Sequence, residues 1–150
     1  MFLLSILFTN RSQWRLDYAK KMVERLNTDI DFEFHCSEDP NINDKLMEQL
    51  PPYSIVINAT GMGKDTPGSP ISSNAKFPQN GVAWEFNYRG ELDFLHQAES
   101  QKNERELRVE DGWLYFVHGW TQVIAQVLHF DMTSDLFMEL ENVANTLRTQ

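Results

Sequence analysis

Two short polar clusters in this chain have the residue types and spacing to hold a phosphorylated ligand. The first is Asn10-Arg11-Ser12 with Arg15, which follows the apolar run Ile6-Leu7-Phe8 and leads directly into a helical pattern. A turn between a strand and a helix is where a dinucleotide-binding sheet reads the adenosine ribose, and the residue type there selects the cofactor. An acidic side chain accepts from a free ribose 2′-hydroxyl, whereas an arginine meets a 2′-phosphate with a charged fork. With Asn10 and Arg11 at this turn, NADP is favoured over NAD. The second cluster, Asn58-Ala59-Thr60-Gly61-Met62-Gly63, ends the strongly β-forming run Tyr53-Ser54-Ile55-Val56-Ile57.

Both clusters also have plainer explanations. Arg11 and Arg15 could be solvated first-turn residues, and a lone Gly-x-Gly such as Gly61-Met62-Gly63 commonly does no more than form a turn. Asp111, just ahead of a helix, is a cap more often than a catalytic acid. His35, Cys36, His96, His118 and His129 lack the spacing of zinc or iron ligands, so no metal site is expected. Glu139 and Glu141 are most simply a solvated helix face.

The elements that must position these residues alternate along the chain. A strand at 6–10 precedes a helix that Ser12 is placed to cap, with Leu16, Ala19, Val23 and Leu26 on its apolar face. Residues 31–35 alternate as a half-buried or edge strand, and 41–50 reads as a helix stopped by Pro51-Pro52. The 53–58 run is expected to be a central strand buried on both faces. A Gly-, Pro- and Ser-rich stretch at 64–80 reads as a long loop of the kind found over functional sites.

Further elements follow as a strand at 81–88, a helix at 92–102, a short strand at 107–109 and helices at 113–128 and 134–147. On the first of those last two helices, Trp113, Tyr115, Phe116, Val117, Trp120, Val123 and Val127 are expected to be core. On the second, Leu136, Leu140, Val143 and Leu147 share a side. The alternation predicts an α/β fold with a mostly parallel sheet and a helical carboxy-terminal part.

Bulk composition narrows the function classes. The 150 residues are 41% apolar and 12% aromatic, ordinary for one globular domain with a real core. A net charge of −9, from 22 acidic against 13 basic residues, argues against a general footprint on nucleic acid or anionic membrane. The apolar start, Met1 to Phe8, lacks the basic flank and cleavage pattern of a secretory signal and reads as a buried strand. One cysteine, Cys36, suits a reducing compartment, with the cytosol expected.

Taken together, Asn10-Arg11-Ser12 with Arg15, Val56-Ile57-Asn58-Ala59-Thr60-Gly61-Met62-Gly63, and Glu110-Asp111-Gly112 with Val117-His118 resemble the carboxy-terminal, NADP-binding half of shikimate dehydrogenases and their quinate/shikimate dehydrogenase-like relatives. The resemblance implies an incomplete, doubly wound Rossmann-like domain over 1–150. It implies that Asn10, Arg11, Ser12 and Arg15 grip the 2′-phosphate, Ser12 standing where the family has threonine. Asn58, Ala59, Thr60, Gly61 and Met62 would lie against the cofactor, although Gly61-Met62-Gly63 departs from the family's usual sequence after Asn-Ala-Thr.

Glu85-Phe86-Asn87-Tyr88 is similar to the family's Asp-Leu-x-Tyr segment, making Tyr88 the counterpart of a tyrosine beside nicotinamide and substrate. Gly112 matches a glycine that approaches the nicotinamide. The family's substrate-holding glutamine aligns with Gly119, and Gln122 lies almost one turn later. The reaction implied is reversible hydride transfer between NADPH and a shikimate- or quinate-type acid.

The resemblance also implies absences: no Gly-rich pyrophosphate turn ahead of residue 6, no substrate domain, and no lysine/aspartate pair for proton transfer. Without that pair, no useful turnover is expected of the chain alone, and its dinucleotide binding is expected to be weak or absent. In a 3-2-1-4-5-6 sheet the absent strand is central, so either strand 6–10 pairs with strand 53–58 or another chain fills the slot, and a homo-oligomer or partner chain is expected. A non-catalytic interaction subunit, or a degenerate remnant, is the alternative.

Overall fold

The computed structural model describes residues 4–148, which form an α/β fold in which every paired strand is parallel. Among them are five helices and two small sheets. The chain divides into two compact units. The first runs to Gln49 and takes in Ile71–Lys76; the second holds Leu50–Pro70 and the chain from Phe77 on.

The first unit begins as a βαβ motif. Strand β1 (Ser5–Asn10), helix α1 (Gln13–Val23) and strand β2 (Asp31–Cys36) follow in order, with β1 and β2 paired from Ser5↔Asp31 to Asn10↔Cys36. The alternation expected of β2 is present: Asp31 and Glu33 are exposed while Phe32 and Phe34 are half-buried, and both rings stack on Phe8. Helix α1 is shorter than its apolar periodicity suggests. It stops at Val23, Leu16 is its buried anchor, and Leu26 lies exposed beyond its end.

Ser12 occupies the N-cap position of α1, but its side chain does not cap. Asn10 accepts the Ser12 backbone N–H at 2.9 Å instead, closing an Asx turn across the strand end. Helix α2 (Pro40–Glu48) starts one residue earlier than the periodicity indicates, because Asp39 caps the Asn41 N–H at 2.9 Å and Pro40 fills the first turn. The buried Asp44 on α2 holds the Ser72 backbone N–H at 3.0 Å as well as its hydroxyl. Part of the 64–80 loop is thereby fastened into this unit.

The second unit carries the three-stranded sheet β3–β4–β5, made of Ile55–Asn58, Val82–Glu85 and Arg108–Glu110. Helix α3 (Asp93–Gln101) packs on β4 and β5, burying Phe94 and Ala98, and Phe77 closes edge-on against Phe94 at 5.4 Å. Helices α4 (Trp113–Leu128) and α5 (Ser134–Arg148) form a hairpin. It is joined by a His118–Phe137 stack at 3.8 Å and a Trp113–Asn145 hydrogen bond at 2.6 Å.

Two expectations are corrected here, and one of two alternatives for strand 6–10 is not seen. Strand β3 is an edge strand, not a central strand buried on both faces: it pairs with β4 alone, and Ile55 and Ile57 are 59% and 46% exposed. Tyr53 is outside it, held at φ +68 with its N–H given to Gln79. Strand 6–10 pairs with β2, so the rearrangement in which it would pair with 53–58 does not occur among the described residues. On α4 only Val117 of the aromatic and aliphatic set is fully buried. Tyr115, Trp120, Val123 and Val127 are exposed, and α5 buries none of its apolar residues.

Because Phe94 is almost wholly enclosed, Phe94→Ala should lower the stability of the second unit by about 3–5 kcal/mol. Urea unfolding followed by the fluorescence of Trp84 and Trp113 measures the shift.

Candidate functional site at the carboxyl ends of the strands

In an open parallel sheet, ligands bind beyond the carboxyl ends of the strands. In the second unit that edge is organised by a buried carboxyl group. Glu85, the last residue of β4, is fully buried (0% exposed), beside Asn58 (1%), the last residue of β3. One Glu85 carboxylate oxygen accepts the Asn58 amide at 2.6 Å; the other accepts the Asn87 backbone N–H at 2.8 Å and the Asn87 side-chain amide at 2.6 Å.

Both asparagines then hold the 59–62 turn. Asn58 Oδ1 accepts the Thr60 backbone N–H at 3.0 Å and its hydroxyl at 2.7 Å, and the Thr60 hydroxyl accepts the Met62 N–H at 3.2 Å. The Asn87 amide donates to the carbonyls of Thr60 at 2.9 Å and Met62 at 3.1 Å. Every donor in this cluster has an acceptor, which is what keeps a polar core from being costly.

Burial pushes the Glu85 carboxyl above its ordinary pKa. The bonds from the Asn87 backbone, Asn58 and the Asn87 side chain oppose that shift without cancelling it.

The same network ends β4 early. The expected strand at 81–88 keeps its ladder only to Glu85, with one further bond from the Phe86 N–H to the Asn58 carbonyl, because Asn87 turns inward to the carboxylate. Gly112, the residue before α4, backs onto this exit: a Cβ there would overlap the Phe86 carbonyl. Its backbone φ is −86, so the need for glycine is close approach to the β4 exit, not a left-handed turn. Asp111 accepts the Trp113 N–H at 3.0 Å and pairs with Arg148, so it behaves as a cap.

Gly63, at φ +87, lies against Leu92, while a Cβ on Gly61 would meet only Asp65 at 3.6 Å or more. Tyr88 is half-buried, its ring stacked on Phe116 at 4.0 Å. Gln122 is exposed on α4, six residues past Phe116 and therefore roughly 120° around the helix from it. Thus Asn58, Ala59, Thr60, Gly61 and Met62 form one anchored turn, Gly112 and Tyr88 lie near the β4 exit, and Gln122 does not join them.

In the first unit, Asn10, Arg11 and Ser12 form the β1–α1 turn at the carboxyl end of a parallel pair. Arg11 is exposed, its carbonyl receiving the Cys36 thiol at 3.7 Å. The Arg15 guanidinium lies 5.2 Å over the Trp14 ring.

Sequence reasoning singled out Tyr88 from its segment and passed over Glu85 and Asn87. A signal was present: Ala83, Glu85 and Asn87 are the inward residues of a period-two pattern, and a carboxylate and an amide at inward positions of an apolar strand demand buried partners. Gln97 and Gln101 on α3 serve a structural end, accepting from Ser69 and from the Phe77 N–H. No family model, curated protein or solved structure matches the chain. Among the described residues, no helix is long and apolar enough to cross a membrane.

Asn58 cannot flip without losing Thr60, so Glu85→Gln would set one amide donor against another. It should cost about 1–3 kcal/mol at neutral pH, measured by urea unfolding. A carboxyl whose pKa is raised on folding contributes most below its unfolded value. The wild-type chain should therefore lose stability relative to Glu85→Gln as pH rises through the elevated pKa, which parallel pH series of melting curves would show. Gly112→Ala should destabilise by at least about 1–3 kcal/mol through the forced shift of the Phe86 peptide, seen in the same unfolding assay.

Proposed function

We propose that the chain is a shikimate dehydrogenase-like, NADP-binding protein that binds its cofactor without turning it over unaided. The observation that carries this reading is the β1–α1–β2 unit. It is a parallel βαβ motif whose first turn is Asn10-Arg11-Ser12, with Arg11 exposed where a ribose-linked phosphate would be met. Support from the second unit is the anchored Asn58–Met62 turn and the Gly112 approach, both at the carboxyl edge of a parallel sheet.

Under this proposal Asn10, Arg11, Ser12 and Arg15 recognise the 2′-phosphate, and Arg15 leaves the Trp14 ring to do so. Asn58, Ala59, Thr60, Gly61, Met62 and Gly112 serve the cofactor, and Tyr88 the substrate. Gln122, exposed and turned away from Phe116, has the weakest support. No residue is assigned to proton transfer, so reduction of a shikimate- or quinate-type acid would need a completing partner. An exposed lone Cys36 fits a reducing, cytosolic setting.

A second reading, a non-catalytic interaction subunit, is favoured by one specific observation: the apolar residues left exposed on β3 and α4.

Calorimetric titration with NADPH and NADH separates the two. Saturable NADPH binding, weakened roughly tenfold to hundredfold by Arg11→Ala and by the use of NADH, supports the cofactor reading. Absence of binding at millimolar NADPH, or binding indifferent to Arg11, overturns it.

A further inference from the structure

The carboxyl edge of the second unit carries two cationic side chains outside the Glu85 network. Lys64 lies in the 61–66 turn that follows β3, and Arg89 in the loop that follows β4. Backbone contacts fix the two loops to each other. The Leu92 N–H donates to the Gly63 carbonyl at 3.1 Å, and Gly90, at φ +101, abuts that same carbonyl so closely that a Cβ would overlap it. The turn presenting Lys64 is itself closed by the N–H groups of Lys64, Asp65 and Thr66, which reach the Gly61 carbonyl at 3.3, 2.9 and 3.2 Å.

Between the two cations lies one carboxylate. Asp65 offers Oδ2 to the Lys64 ammonium at 3.0 Å and Oδ1 to the Arg89 guanidinium at 3.5 Å. This is a clamp for a carboxylate, one oxygen to each cation, with a side chain of the same chain as its occupant. The hold is loose: the Asp65 side chain is 56% exposed and that of Arg89 63%, and an ion pair so open to water contributes little. Lys64, at 25%, is the covered half of the clamp.

We propose that Lys64 and Arg89 form a carboxylate-binding subsite, which Asp65 occupies until the acid group of a small ligand takes its place. In a chain of net charge −9 a small anion binds only where cations are gathered locally, and these two are brought together from separate loops. Arg89 supplies a planar fork that matches a carboxylate, and Lys64 a point charge. The exposed Glu91 on the same loop opposes an anion weakly, its charge screened by water and salt. Arg89 directly follows Tyr88, so the acid in question is the carboxylate of a shikimate- or quinate-type molecule. Only that identity rests on the dehydrogenase reading; the clamp itself stands on the geometry around Asp65.

Quinate titrated into the full chain without any dinucleotide, and followed by amide chemical shifts, tests the subsite. Expected is saturable binding with a dissociation constant of about 1–10 mM that shifts the amides of Gly63, Lys64, Asp65, Arg89 and Gly90, while the methyl ester of quinate gives no saturable shift. Arg89→Ala should weaken binding about tenfold or more, and Arg89→Lys by less. Asp65→Asn should tighten it about two- to fivefold, because the competing occupant is gone; an ion pair that served only to hold the loops would give no such gain. Glu91→Gln should change the affinity by less than Asp65→Asn does. No saturable shift up to about 50 mM, an equal response to the methyl ester, an affinity unmoved by Arg89→Ala or lowered by Asp65→Asn, or tighter binding of inorganic phosphate at the same amides would each overturn the proposal. Quinate binding without NADPH binding would uphold the subsite and remove the dinucleotide reading; NADPH binding without quinate binding would do the reverse.

Discussion

A single buried carboxyl group decides the shape of the edge formed by the carboxyl ends of β3 and β4. Glu85 has no cation among its bonded partners; it is held by three hydrogen bonds from two asparagines that are themselves nearly inaccessible to solvent. A carboxyl group at that depth is tolerated because each of its donors is fixed from the other side. Asn58 is oriented by Thr60, and Asn87 by the Thr60 and Met62 carbonyls, so the carboxyl group, the two amides and the 59–62 turn stand or fall together. Local geometry that looks like loop variation is in fact dictated from the core.

The consequences run outward from that point. Because Asn87 folds back to Glu85, β4 ends early, the chain exits toward Gly112, and α4 begins against the Phe86 peptide with no room for a side chain between them. Tyr88 then meets Phe116 on the first turns of α4. A rigid turn and an aromatic pair thus arise at the carboxyl edge from one electrostatic requirement. The edge is held in one arrangement by the hydrogen bonds of its own residues.

The apolar surface has a different origin. Period and propensity make α4 a good helix and β3 a good strand, but hydrophobic side chains on either element are stabilising only where a second layer covers them. On α4 one stripe is buried, at Val117, Thr121 and Ala125, Phe116 is half-covered by Tyr88, and Trp120, Val123, Ile124, Val127 and Leu128 are exposed. On β3 the single partner β4 leaves one edge open and one row of isoleucines exposed. Surfaces of this kind are unusual on a solitary acidic chain and ordinary on one that associates.

What the amino-acid sequence determined by itself was the kind and order of the elements: all ten appear in the expected order, though α1 and β4 stop short and β3 begins after Tyr53, and all paired strands are parallel, as alternating strands and helices require. Those features depend on neighbours a few residues apart. Tertiary structure alone decided that β3 is an edge, that the aromatics of α4 are exposed, and that Glu85 and Asn87, 27 and 29 residues past Asn58, brace the same turn as it does. Periodicity shows that a side chain has an apolar or inward face; whether anything covers that face, and which distant donor meets a buried oxygen, depends on contacts across the fold that no local pattern encodes.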